Sequence, residues 1–339
     1  MHFRLPCITI LLLQVLSGAC GGSVSADGEI PRGGGIVYHG DAGEDGDTPA
    51  EGEFSLKVAT ANLLKPGNRR TEMSLDNAMV REALGRSIIG TGASLLAFNE
   101  VDEDFIPGGK YAIDDICGEL PDSWRWKLAW PNDIHQLLPV TYSYANGYAY
   151  DSEVLTEEAC GYVWLAKESK EWFTEPSKAY LKAGSPERTC VWVRFRHRSS
   201  GEQFYFFVSH LPTESQGGGE MMAGNLNAFA ASKAGDLPMI LAGDMNSAPS
   251  NSNRAPYMAL TSFWKDGNMS GRGTQSGSSD NYYYTVEVFT NNHPERRIDH
   301  ILTHGCTASG YGTIIETYSM AGKLWCPSDH LPLACTVTF

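Results

Sequence analysis

Between residues 54 and 339 apolar positions recur at two spacings, and the segments that carry them alternate along the chain. Ser55–Asn62 alternates apolar and polar residues and closes on Asn62-Leu63-Leu64, which predicts a strand with Asn62 at its carboxyl end. In Ser74–Ile89 the residues Leu75, Met79, Ala83, Leu84 and Ile88 fit an amphipathic helix, with Ser74 as its expected N-cap. Ala93–Val101 reads as a buried strand with Glu100 near its end, followed by a short helix over Asp114–Leu120 and a strand over Trp124–Trp130. Tyr142–Tyr150, with Asn146-Gly147 as a hairpin turn, leads into Val154-Leu155 and Cys160–Leu165, a pattern of antiparallel sheet. The stripe Tyr142, Tyr144, Tyr148 and Tyr150 reads as packing. Thr189–Arg196 and Gln203–Ser209 form a strand pair joined by Ser199-Ser200-Gly201, and the second strand ends at His210. A helix over 219–234 and a strand over Pro238–Ala242 come next. A helix over Tyr257–Trp264, a Gly/Ser/Asn-rich loop over 266–281, and strands over Arg297–Leu302 and Leu333–Phe339 complete the series. Without an internal repeat or a second linker, one α/β domain over 54–339 is the economical architecture.

The residues ahead of that domain differ in kind. Arg4, the apolar run Ile8–Leu13 and Ser17-Gly18-Ala19 describe an export signal over 1–19, too short to span a membrane. Cys20 directly after it resembles a bacterial lipobox, so an acylated Cys20 would anchor the chain in the bacterial envelope, at the outer membrane or cell surface. Simple signal cleavage is the alternative. Residues 20–53, with Gly33-Gly34-Gly35 and the acidic stretch Asp41–Glu53, predict a flexible tether.

The formal charge of −14 becomes one unit more negative when the signal and its Arg4 are removed. Such a chain is poorly suited to non-specific duplex binding, which needs many phosphate-neutralising cations. After loss of Cys7 and acylation of Cys20, the remaining cysteines are Cys117, Cys160, Cys190, Cys306, Cys326 and Cys335, without a Cys-x-x-Cys pair that would suggest zinc. Cys306 with Cys326 is the preferred disulfide, while Cys190 and Cys335 fit small buried residues.

Chemistry collects where strands end. Glu100 follows an apolar strand and needs either an Arg partner or a cation. Asp244 and Asn246, two apart, point the same way from an extended segment and can face one bound group. Asp299 lies inside an apolar run, where a His is its natural partner. Ser328-Asp329-His330 places an acid and an imidazole at the mouth of the last strand.

In order, Asn62, Glu100, His210, Gly243-Asp244-Met245-Asn246, Ile298-Asp299-His300 and Ser328-Asp329-His330 resemble the endonuclease/exonuclease/phosphatase superfamily over about residues 54–339. The resemblance implies a four-layer α-β-β-α sandwich: two mixed β-sheets packed face to face, with outer helices and the site at one rim. It implies that Glu100 is the main ligand of a Mg²⁺ ion (Mn²⁺ or Ca²⁺ as alternatives), with Asn62 close by and Asp329 as a further ligand. Asp244 and Asn246 would orient or activate the attacking water, and His210 would bond a non-bridging phosphate oxygen. His330, polarised by Asp299, would act as base or as a charged stabiliser of the phosphoryl group. Arg188 is either a phosphate contact or a surface residue. Asn99 stands where the family commonly has Gln, which bears on the geometry around Glu100.

The function this implies is Mg²⁺-dependent hydrolysis of a phosphodiester or phosphomonoester: a small molecule, a sugar or inositol phosphate, or a lipid head group. A monomeric enzyme is expected. An extracellular nuclease is the alternative within the class. A non-catalytic envelope binding protein that keeps the fold is the alternative outside it. Specificity is expected in the rim loops 102–123, 167–187, 211–220 and 266–295.

Overall fold

The computed structural model describes residues 37–40, 54–64, 71–101, 105–106, 110–128, 146–166, 168–174, 188–268, 273–275 and 296–339, all within the unit Gly33–Phe339. The expected signal, Cys20, the acidic stretch, Tyr142 and Tyr144 lie outside them. The stretch expected to be a tether nevertheless supplies the first strand, β1 (Val37–Gly40), which pairs antiparallel with residues 312–315.

In chain order there follow β2 (Ser55–Asn62), α1 (Ala78–Gly90), β3 (Leu95–Asn99), the short β4 (Phe105–Ile106) and β5 (Lys110–Tyr111), α2 (Ala112–Cys117), β6 (Trp124–Leu128) and β7 (Asn146–Asp151). Next come β8 (Leu155–Leu165), β9 (Trp172–Phe173), β10 (Arg188–His197), β11 (Gln203–Ser209), α3 (Gly219–Ala234), β12 (Met239–Asp244) and α4 (Arg254–Thr261). The remaining strands are β13 (Lys265–Asp266), β14 (Asp299–His304), β15 (Thr307–Ile315), β16 (Tyr318–Met320), β17 (Lys323–Trp325) and β18 (Leu333–Thr338).

Among the described residues two sheets of seven strands result, ordered β1-β15-β18-β2-β3-β7-β6 and β13-β14-β12-β11-β10-β8-β9. Each is antiparallel except for one parallel pair near its middle, β2 with β3 and β11 with β12. Alternation along the strands builds the layers. Leu56, Val58, Leu95 and Ala97 meet Val193, Phe204, Phe206, Val208 and Ile240 between the sheets. Ala59, Ala61, Leu96 and Phe98 on the other face of the first sheet pack beneath Val80, Leu84 and Ile88 of α1 and Ile113 and Ile116 of α2. Phe207 and Leu241 pack beneath Met222, Leu226 and Phe229 of α3. The central strands are covered on both faces, which explains their near-continuous apolar runs. This is the expected four-layer α-β-β-α sandwich.

Local differences have local causes. The cap of α1 is Asn77, whose side chain accepts the Met79 N–H at 3.0 Å, while Ser74 Oγ bonds the Asp76 N–H in the turn before it. Asn146-Gly147 is not a hairpin turn but the start of β7, and the turn over residues 152–154 that follows β7 carries the chain across to β8 in the other sheet. Tyr148 and Tyr150 stack in the inter-sheet core, as packing. No disulfide joins Cys306 to Cys326: Cys306 borders the inter-sheet core, whereas Cys326 packs with Ile315 and Leu331.

Candidate active site

The strand ends β2, β3, β11, β12 and β14 and the loop before β18 converge on one rim, and their terminal side chains meet there. Asp244 is at the centre. Its Oδ2 accepts from Asn62 Nδ2 at 3.0 Å and lies 3.4 Å from His210 Nε2 and 3.9 Å from His330 Nε2. Its Oδ1 accepts the Asn246 backbone N–H at 2.8 Å. Asn62 Nδ2 also points at Glu100 Oε1, 3.4 Å away, while Asn62 Oδ1 accepts the Leu64 N–H at 3.0 Å. Asn62 therefore turns its NH₂, not its carbonyl, toward the two carboxylates.

His330 Nδ1 donates to Asp299 Oδ2 at 2.7 Å, both residues being buried. Asp299 and Asp244 sit directly opposite each other on β14 and β12, so the antiparallel register alone brings the two acids to one imidazole. Asp244, Asp299 and His330 place ligand atoms within 4.8 Å of one another. Ser328 Oγ donates to the Asn62 carbonyl at 2.7 Å and accepts the His330 N–H at 3.2 Å, fastening the last loop to β2. Asn246 Nδ2 donates to the Leu211 carbonyl and lies 2.9 Å from His210 Nε2. Asp329, half-buried, is between the anchored residues 328 and 330.

Backbone strain concentrates at the same rim. Leu64, Glu100 and Asn246 have φ of +56°, +55° and +47°, a conformation that non-glycine residues hold only when their surroundings over-determine it. Gly243 has φ +144°, and a Cβ there would lie 2.0 Å from the Ser209 carbonyl. Only glycine lets β12 pass so close to β11 just before Asp244.

The electrostatics are lopsided. Burial, then the neighbouring Asp299 charge, pushes the Asp244 carboxyl up to about 7, although His330 and the Asn246 N–H pull the other way. Burial alone would lower the His330 imidazole, but the charges of Asp299 and Asp329 and the bond to Asp299 raise it well above its ordinary value. The Asp299 Oδ1 atom is buried without a hydrogen bond. Four carboxylates (Glu100, Asp244, Asp299 and Asp329) thus gather around two imidazoles, an excess of hard anionic oxygen that suits a divalent cation.

Of the residues singled out in the sequence, Asn62, Glu100, His210, Asp244, Asn246, Asp299, Asp329 and His330 share this rim. Arg188 is held differently. It is buried, its Nη2 donates to Gln216 Oε1 at 2.7 Å, and along β10 it falls on the Cys190 face, toward α3. Gln216 Oε1 also accepts the Thr213 N–H, so the guanidinium fastens the turn after His210 and is not a surface Arg. Three supporting roles escaped the sequence analysis: Ser328 as a strap, and Asn146 and Thr189 beneath the site. The departure at Asn99 pointed toward Asn146, its partner across the strand pair.

The sequence profile described as "Endonuclease/Exonuclease/phosphatase family" matches residues 59–330. The chain belongs to this family. Members of the endonuclease/exonuclease/phosphatase family hydrolyse phosphoester bonds, and divalent-metal dependence is typical of them. A search of the curated proteins by sequence finds no match. Among solved structures, the fold is similar to a mannosyl-6-phosphatase of Bacteroides thetaiotaomicron at TM-score 0.64 and 21% identity, over 84% of this chain and 100% of that one. A family protein of the same organism gives TM-score 0.62 and 18% identity, over 85% and 96%. D. rerio TDP2 complexed with a single-strand DNA product gives 0.55 and 13%, over 84% and 98%.

Proposed function

We propose that this chain is a divalent-cation-dependent phosphoesterase of the bacterial cell envelope that acts on a small phosphorylated molecule, a sugar or inositol phosphate or a lipid head group. The observation that carries the reading is Asp244, set within 4 Å of Asn62, His210 and His330 and opposite Asp299. The donor set fits Mg²⁺, or Mn²⁺ or Ca²⁺ in its place: Glu100, with Asp329, would hold the ion, and Asn62 would bridge Glu100 to Asp244 through its NH₂. Bound there, the ion supplies Lewis-acid polarisation of the phosphoryl oxygens and offsets their charge.

The protein's own groups account for the rest. Asp244 accepts a proton from the attacking water while Asn246, its backbone N–H on Asp244 Oδ1, fixes that carboxylate. The water oxygen bonds to phosphorus, the ester P–O bond breaks, and the leaving alkoxide takes a proton from solvent, to which Asp244 then returns the proton it accepted. His330, held protonated by Asp299, faces the growing negative charge with Nε2–H, and His210 orients a non-bridging oxygen.

The net charge of −14 and the likeness to the mannosyl-6-phosphatase favour a small substrate over long DNA. The export-type residues 1–19 and Cys20 support an acylated, membrane-held protein. The deciding assay incubates the purified chain with p-nitrophenyl phosphate, bis(p-nitrophenyl) phosphate, hexose 6-phosphates and plasmid DNA, with Mg²⁺ and with EDTA. Cation-dependent release from a small ester, lost in Glu100→Ala, is the expected outcome. Nicking of plasmid alone would turn the reading to a nuclease, and silence on every substrate to a binding protein.

A further inference from the structure

Beneath Asp244 runs a buried chain of amides that the proposed chemistry does not itself use. Asn99 Oδ1 accepts the Asp244 backbone N–H at 2.7 Å. Asn99 Nδ2 donates to Asn146 Oδ1 at 2.7 Å and to the Ser209 carbonyl at 3.2 Å. Asn146 Nδ2 in turn donates to the Thr189 carbonyl and to Thr189 Oγ1, each at 3.0 Å, and Ser209 Oγ donates to the same carbonyl. All four residues are buried. The chain starts on β10, crosses to β7 and β3 in the other sheet, and returns to β12.

We propose that Asn146 is a positioning residue of the active site, acting through Asn99 on Asp244 and Glu100. The proposal rests on the phosphoesterase reading for its effect on rate, and on geometry alone for the coupling. The amide chain has a polarity. The Thr189 carbonyl only accepts, so Asn146 must face it with NH₂ and offer Asn99 an oxygen. Asn99 must then face Asn146 with NH₂, which leaves its oxygen for the Asp244 N–H. A reversed Asn99 amide would set N–H against N–H at Asp244 and oxygen against oxygen at Ser209. The orientation of Asn99 is therefore fixed from three sides, by the Asp244 N–H, the Ser209 carbonyl and, from β10, Asn146.

Asn99 governs two site residues at once. It holds the backbone of Asp244, and it precedes Glu100, whose φ of +55° needs a rigid approach. The pairing register sets Asn99 directly opposite Asn146, and two short amides just span the gap. A glutamine at 99, one methylene longer, collides with Asn146 unless that side chain shortens.

The test follows the coupling with two independent readouts, kinetics and hydrogen exchange at the Asp244 N–H. Asn146→Ala is expected to lower kcat by about 10- to 100-fold with KM little changed, as a misplaced reacting group does. Exchange of the Asp244 amide is expected to accelerate about tenfold while the β11 core amides keep their protection. Asn99→Gln alone is expected to be impaired, and Asn99→Gln with Asn146→Ala to recover activity above either single variant. Should Asn146→Ala not fold, Thr189→Val removes one acceptor at nearly constant shape and is expected to move both readouts in the same direction, by less. Wild-type kcat in Asn146→Ala with unchanged Asp244 exchange would overturn the proposal. So would acceleration spread evenly over the whole core, which marks general loss of stability. If the wild-type chain hydrolyses no ester, the phosphoesterase reading fails while the exchange arm still decides the coupling.

Discussion

Asp299→Asn changes one atom in the buried pair with His330 and thereby tests the electrostatics of the site. The amide is nearly isosteric with the carboxylate, and it still offers an oxygen to His330 Nδ1 at the position now 2.7 Å away. Its NH₂ falls where Asp299 Oδ1 has no hydrogen-bond partner. What disappears is the charge. Hydrogen bonds to charged groups contribute about 1.5–3 kcal/mol, against about 1 for neutral ones. If most of that difference is expressed only as charge develops on phosphorus, about 1–2 kcal/mol of barrier returns, roughly a 5- to 30-fold fall in kcat. A smaller effect opposes it, because Asp299 is, after burial, the main cause pushing Asp244 up to about 7. The assay is steady-state hydrolysis of p-nitrophenyl phosphate or its diester at saturating Mg²⁺, across pH. We expect kcat and kcat/KM to fall together, because the lost interaction strengthens in the transition state. The alkaline limb of the rate profile should shift to lower pH, since a His330 without Asp299 gives up its proton sooner. An unchanged kcat with a raised KM would refute the reasoning, as would an unmoved alkaline limb.

Removing divalent cations with EDTA should abolish ester hydrolysis, and Mg²⁺ or Mn²⁺ should restore it; thermal stabilisation by Mg²⁺ should be lost in Glu100→Gln, and its survival there would exclude Glu100 as the main ligand. Gly243→Ala should destabilise by about 4 kcal/mol or more in urea unfolding, because its Cβ meets the Ser209 carbonyl at 2.0 Å. His300, buried with Nε2 on the Ser247 carbonyl, has its imidazole held below the ordinary value by burial, so the unfolded chain binds a proton first. Stability should therefore fall as pH drops from about 6.5 toward the folded value, and the Tm slope there should flatten in His300→Gln. Native labelling with a maleimide should reach exposed Cys160 first, with Cys117, Cys190 and Cys335 reacting only on unfolding; early labelling of Cys190 would contradict the packing.

Much of the rim could be read from the chain because each acid or imidazole interrupts or ends an apolar strand, as Glu100, Asp244 and Asp299 do. Burial makes such residues expensive, so their mere presence in those positions carries information. Asn146 could not be read in the same way. Asn-Gly is a strong local turn signal, but the partner strand opposite, with its own buried amide at Asn99, outweighs it. Val37–Gly40 escaped for a related reason: four residues in Gly-rich surroundings gain meaning only against the open edge of β15. The start of α1 moved from Ser74 to Asn77 because both can cap, and the turn between them settles which one does.

The position of β18 has a consequence for how this chain comes into being. β18 is inserted between β2 and β15, and Ser328 and His330, just ahead of it, complete the rim. Leu333–Thr338 pairs with Ser55–Thr60, so the centre of the first sheet joins segments made early and late in synthesis. Contacts of such long sequence separation form slowly, and a growing chain lacks them altogether. A growing polypeptide would therefore leave the first sheet open and the rim incomplete until β18 had been made and had docked between β2 and β15.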